Sequence, residues 1–172
     1  MEPNDEITAA DVHADGSAVD RRLLKPDLVE GSRARWSRGC RRRRVRRSEY
    51  HWLVRHRGCS AHGWHTHSYS DADPGRGFVR IFLHPSGFGP SDGALRLVPR
   101  SHLLREGRVA DRDDHDSEAE WEERWLKPRG LSTQTLTAPP GSVVIVHTWT
   151  AHAVLPKTSD GTRWCAVYGY RV

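Results

Sequence analysis

From about residue 49 to the end of the chain, apolar and polar residues alternate in short runs broken by Gly, Pro, Ser and Asp. A period of two marks strands with one buried face. Many short strands with turn formers between them predict an all-β sandwich or barrel. Residues 78–83 read as one strand and 94–98 as another, with a stretch dense in turn formers, 85–93, between them. Residues 142–147, about 150–155, and 163–172 bring the set to at least five strands. Pro139-Pro140-Gly141 and Ser159-Asp160-Gly161 punctuate them. Residues 113–126 differ. They start acidic, put Trp121 and Trp125 four residues apart and run into Lys127 and Pro128, which predicts a short amphipathic helix inserted on the rim, its tryptophans packing on the barrel.

Residues 1–48 carry neither the period of a strand nor that of a helix, and such a segment cannot offset the entropy of ordering it. It reads as a disordered or irregular tail before one domain at 49–172. Charge sharpens that boundary. Nine arginines fall between Arg33 and Arg47 with no acidic residue among them, and the 27 basic residues less these nine leave 18 against 22 acidic ones. The basic tract is therefore local. It is a solvated tail, a tether to nucleic acid or another acidic surface, or a stretch foreign to the native N-terminus. The mean hydropathy of −0.73 agrees with an unpacked segment.

Cys40, Cys59 and Cys165 are an odd set without a C-x-x-C pair, which argues against a disulfide framework and suits a reducing compartment. The N-terminus is acidic and no apolar run approaches a membrane span, so the expected location is the cytoplasm.

Eleven histidines are a rich supply, and His62, His65 and His67 lie within six residues. Alternate residues of a strand share a face, so His65 and His67 can converge on one ion. A pair at this spacing with a distant third ligand is how the facial triad of non-haem iron enzymes is built.

Gly63-Trp64-His65-Thr66-His67 resembles the G-W-H-x-D motif of the phytanoyl-CoA dioxygenase family. The run from Asp92 to His102, D-G-A-L-R-L-V-P-R-S-H, is similar to its D-G-A-L-x-x-V-P-G-S-H segment. Residues 139–146 resemble its P-G-D-V-V-I-F strand, and His152 and Arg163 follow in its order. The resemblance covers about residues 64–170 and implies a double-stranded β-helix, a jelly-roll or cupin-like barrel with the site in its mouth. It further implies an Fe(II)- and 2-oxoglutarate-dependent oxygenase that hydroxylates a small molecule, with His65, His67 and His152 as metal ligands and Arg163 on the far carboxylate of 2-oxoglutarate. His102 then braces structure, and Asp92-Gly93 shapes a turn.

The departures from the family pattern are specific. His67 stands where the motif has a carboxylate, which leaves three neutral ligands unless Asp71 or Asp73 swings in. Lys157 stands where the family usually has Asn, and Arg100 where it has Gly. The arginine tract occupies the place of the family's N-terminal helices and first strands, so the barrel is expected to expose edges. These features support a second reading, an inactive or partial barrel. A third is a zinc-binding nucleic-acid module using Cys59, His62, His65 and His67.

Overall fold

Strand formation follows the apolar alternation, and side chains from two sheets close one core. The computed structural model describes residues 15–20, 49–67, 78–104 and 117–171. Its strands are β1 (Ser17–Asp20), β2 (Glu49–Arg55), β3 (His62–His65), β4 (Phe78–His84), β5 (Leu95–Leu97), β6 (Gln134–Thr135), β7 (Ser142–His147), β8 (His152–Val154) and β9 (Arg163–Arg171). One sheet has the order β1-β7-β4-β9-β2 and the other β3-β8-β5-β6, and every pairing within them is antiparallel. This is the all-β, double-stranded β-helix architecture that the resemblance implies.

Phe82, Val144, Val146, Cys165 and Val167 from the first sheet meet Leu95 and Leu97 from the second in the central core. The opposite face of the second sheet is covered by the inserted helix α1 (Glu118–Trp121). Trp121 is 2% exposed there, with its ring 5.1 Å from that of Trp64. Alternation along β3 therefore puts Trp64 against the helix and His65 on the cavity side.

Three expectations change. Ser17–Asp20 is not irregular: it pairs with β7 from Ser17↔Val146 to Asp20↔Val143. Just before it, the Gly16 carbonyl accepts from the His147 amide at 2.7 Å and from the Thr150 hydroxyl at 2.8 Å. A four-residue edge strand with one large apolar residue has almost no local signal, and its order comes from its apolar partner β7. The helix is also shorter than expected. It starts at Ser117, whose hydroxyl and backbone exchange hydrogen bonds with Glu120 in a capping box, and passes through one π turn, Glu122–Leu126. Of its tryptophans only Trp121 packs inward. Trp125 is 45% exposed and stacks under the Arg129 guanidinium at 4.9 Å.

The arginine tract lies outside the described residues, as do Asp71 and Asp73. Among the described residues, β2 is an outer strand of its sheet, with Leu53 and Val54 exposed and Trp164 exposed beside it on β9. No helix among the described residues is long and apolar enough to cross a membrane.

Candidate metal centre

β3 and β8 pair so that His65 stands opposite His152. The Nδ1 of each ring lies 2.8 Å from the carbonyl oxygen two residues earlier, Gly63 for His65 and Thr150 for His152. A carbonyl can only accept, so each Nδ1 donates and each Nε2 keeps its lone pair. β3 ends at His65, so His67 reaches the same place from just beyond the strand. The hydrogen bond from its amide to the Thr148 carbonyl, 2.8 Å, fixes it there.

The three rings converge, with centroids 4.2 Å apart for His65 and His152, 4.8 Å for His67 and His152, and 4.9 Å for His65 and His67. One nitrogen from each lies within 4.8 Å of the others, a spacing that can hold one metal ion. His67 Nε2 is 3.0 Å from His152 Nε2. Since His152 offers a lone pair there, His67 donates, and for both Nε2 atoms to ligate one ion the His67 proton would have to sit on Nδ1.

The electrostatics keep these rings neutral. Burial, then the neighbouring His152 and Arg80, lowers His67 to about 2. Burial and His65 lower His152 to about 3, and burial lowers His65 as well. Neutral imidazoles are the form that binds a metal, and a borderline ion such as Fe(II) suits nitrogen ligands. The donor set fits a divalent transition metal.

The histidines open on a cavity of about 280 Å³ that also takes in Arg55, Arg80 and Arg163 and has no carboxylate among its described lining residues. Arg163, at the start of β9, is 6% exposed. It donates from Nη1 to the Gly93 carbonyl and stacks its guanidinium 4.9 Å from the Phe88 ring centre, while its buried Nε has no partner among the described residues. Gly93 has φ +76, and a Cβ there would lie 3.0 Å from Arg55 Nε and 3.1 Å from the Leu155 carbonyl, so only glycine fits.

Asp92 braces the same turn. Its carboxylate, held below the usual range first by the Ser159 hydroxyl, also accepts from the Gly89 amide at 2.9 Å and pairs with Lys157. Lys157 is 2% exposed, and its ammonium donates to the Ser159 hydroxyl at 2.6 Å and to the carbonyls of Ser159 and Asp160 at 3.1 and 3.2 Å. The residue that departs from the family's Asn is thus a buried brace of the 92–93 turn.

Residues 6–165 match the family model described as phytanoyl-CoA dioxygenase (PhyH). The chain belongs to the phytanoyl-CoA dioxygenase family. The match reaches far upstream of residue 64, where the motif resemblance begins, and so takes in most of the segment read as a tail. Among solved structures, this family member is similar in fold to HygX from Streptomyces hygroscopicus with iron bound, at 15% identity and a TM-score of 0.67 over 95% of this chain and 86% of that one. It is also similar to the non-heme alpha ketoglutarate dependent carbocyclase SnoK from nogalamycin biosynthesis, at 16% identity and a TM-score of 0.66 over 99% and 87%. The epimerase SnoN in complex with Fe3+, alpha ketoglutarate and nogalamycin RO is a third, at 14% identity and 0.63 over 94% and 80%. No curated protein matches the sequence.

His65, His67, His152 and Arg163, the four site residues expected from sequence, all line one cavity. His102 lies apart, buried with its ring 5.2 Å from that of His147. Cys59 and His62 do not join the three-histidine group, whose third member is His152, so the zinc-module reading loses its ligand set. Arg55 and Arg80 were not foreseen. Their signal was available, since a lone cation at an inward position of an otherwise apolar strand such as β4 has to face something polar.

Proposed function

We propose that this protein is an Fe(II)- and 2-oxoglutarate-dependent oxygenase that hydroxylates a small organic molecule, with His65, His67 and His152 holding the metal and Arg163 holding the remote carboxylate of 2-oxoglutarate. The observation that carries the reading is the convergence of three neutral imidazoles in one cavity with a buried arginine whose Nε has no partner among the described residues. The family and the fold support it, as do the iron and alpha ketoglutarate bound in similar structures.

When bound, iron supplies the oxygen chemistry by which 2-oxoglutarate and O2 become succinate and CO2, with one oxygen atom left for insertion into a C–H bond of the substrate. The chain's own residues do the positioning. The Nδ1 donations to Gly63 and Thr150 fix the His65 and His152 rings before any ligand arrives, so little ordering cost falls on binding. The planar fork of Arg163 can give a carboxylate two charge-assisted hydrogen bonds at once. Phe82 and Leu95 give the cavity an apolar wall.

Succinate release from 2-oxoglutarate in air with Fe(II) tests the reading. Turnover that His152→Ala and Arg163→Ala both abolish supports it, and its absence in a folded wild-type chain contradicts it. The lack of a carboxylate among the described cavity residues favours one alternative, a barrel that binds metal and cosubstrate without turnover. In that case binding persists while no succinate forms.

A further inference from the structure

The cavity contains a second arginine beside Arg163. Arg55 on β2 and Arg163 on β9 are direct partners in the antiparallel register, and both line the cavity. Their guanidinium groups approach the same glycine: a Cβ on Gly93 would lie 3.0 Å from Arg55 Nε and 3.4 Å from Arg163 Nη1.

Two cations this close repel each other, and burial, with Arg55 contributing, pulls Arg163 below its ordinary range. No carboxylate among the described residues forms a salt bridge with either of them. Asp92, the nearby acid, is spent on Lys157 and Ser159. Among the described residues, the hydrogen-bond acceptors of the two arginines are backbone carbonyls, Ser60 and Leu155 for Arg55 Nη2 and Gly93 for Arg163 Nη1. Each keeps a buried Nε without a partner among the described residues. A guanidinium offers five N–H donors, so both can still bond an anion. Arg163 is buried and Arg55 half-buried, and holding two cations together there without an anion is costly, a cost relieved when one negative group sits between them.

We propose that Arg55 and Arg163 together form a two-guanidinium seat for a single carboxylate, and that Arg55 is a second cosubstrate-binding residue that selects 2-oxo dicarboxylates over 2-oxo monocarboxylates. This rests on the reading of the site given above. Arg163 comes from the strand that follows the last histidine, whereas Arg55 comes from β2, upstream of all three ligands. The part of the chain before the metal motif thereby contributes a cosubstrate contact.

Calorimetric titration of the Co(II)-loaded protein with 2-oxoglutarate and with pyruvate, which lacks the remote carboxylate, tests this. Wild type is expected to prefer 2-oxoglutarate. Arg55→Gln is expected to lose roughly 10- to 100-fold in affinity for 2-oxoglutarate, the range of a lost charge-assisted pair, with pyruvate unchanged. Arg55→Lys, which keeps the charge and places less demand on refolding, is expected to fall between the two for 2-oxoglutarate alone. Unchanged 2-oxoglutarate affinity in both variants, or an equal loss for both acids, overturns the proposal. A wild-type chain that takes up Co(II) but shows no preference between the acids overturns the cosubstrate reading itself, and Arg55's role with it.

Discussion

His65 and His152 face each other across the β3–β8 pair, and each ring is locked by the same device, an Nδ1 hydrogen bond of 2.8 Å to the carbonyl two residues earlier. The two Nε2 atoms are thereby aimed into one space. Replacing either histidine by Ala removes a ligand and is expected to weaken divalent-metal affinity by at least about 100-fold, beyond the 10- to 100-fold typical of losing an outer partner. His67→Asp restores a carboxylate beside a cation and is expected to bind Co(II) more tightly than wild type. Calorimetry on the three variants checks both statements.

The buried histidines also set a pH dependence. In the folded chain His152 is lowered to about 3 and His67 to about 2, and His84, fully buried near Arg163, also lies well below its ordinary value. Unfolded, each titrates near 6.5. Below that pH the unfolded state binds more protons, so stability falls as pH drops from about 6.5 toward 3 and is flat above. The metal-free chain is expected to melt lower at pH 4.5 than at pH 7.5, and His152→Gln is expected to narrow that difference. An equal difference in wild type and variant contradicts the assignment.

Gly93→Ala tests the turn beneath the arginines. The positive φ costs a side chain about 1–2 kcal/mol, and the new Cβ crowds Arg55 and the Leu155 carbonyl. Urea unfolding is expected to register at least that loss. Where the variant folds, 2-oxoglutarate affinity is expected to fall more than metal affinity, since the histidines lie elsewhere in the cavity.

Lys157→Met keeps the stem of the side chain and removes its charge. The carbonyls of Ser159 and Asp160 then lose a donor, and Asp92 keeps Ser159 and Gly89. Because the Asp92 side chain is 37% exposed, the expected cost is that of unsatisfied polar groups, about 1–3 kcal/mol, read as a lower denaturation midpoint.

The two tryptophans of the insertion separate by burial. Trp121→Ala opens the cluster with Trp64, Val98 and Leu126 and is expected to cost about 3–5 kcal/mol. Trp125→Ala, over solvent and Arg129, is expected to stay within about 0.5 kcal/mol. Chemical denaturation of the two variants distinguishes them.

The same contrast explains what the sequence made legible. The proposed site residues sit in motifs that resemble those of the family, so His65, His67, His152 and Arg163 could be named from the sequence, and they line one cavity. β1 could not, because Ser17–Asp20 gains its order from Val143 to Val146, more than a hundred residues away. Arg55 was hidden for a related reason: its meaning lies in being the register partner of Arg163, a relationship that sheet topology creates. The start of the helix was readable in principle, since Ser117 and Glu120 form a capping box, but the acidic run before them drew the boundary too early.

Anaerobic addition of Fe(II) and 2-oxoglutarate to the purified chain, followed by visible spectroscopy, tests the central claim most directly. A weak metal-to-ligand charge-transfer band is predicted in wild type and predicted to vanish in His152→Ala and Arg163→Ala. A folded wild-type chain that stays colourless contradicts it.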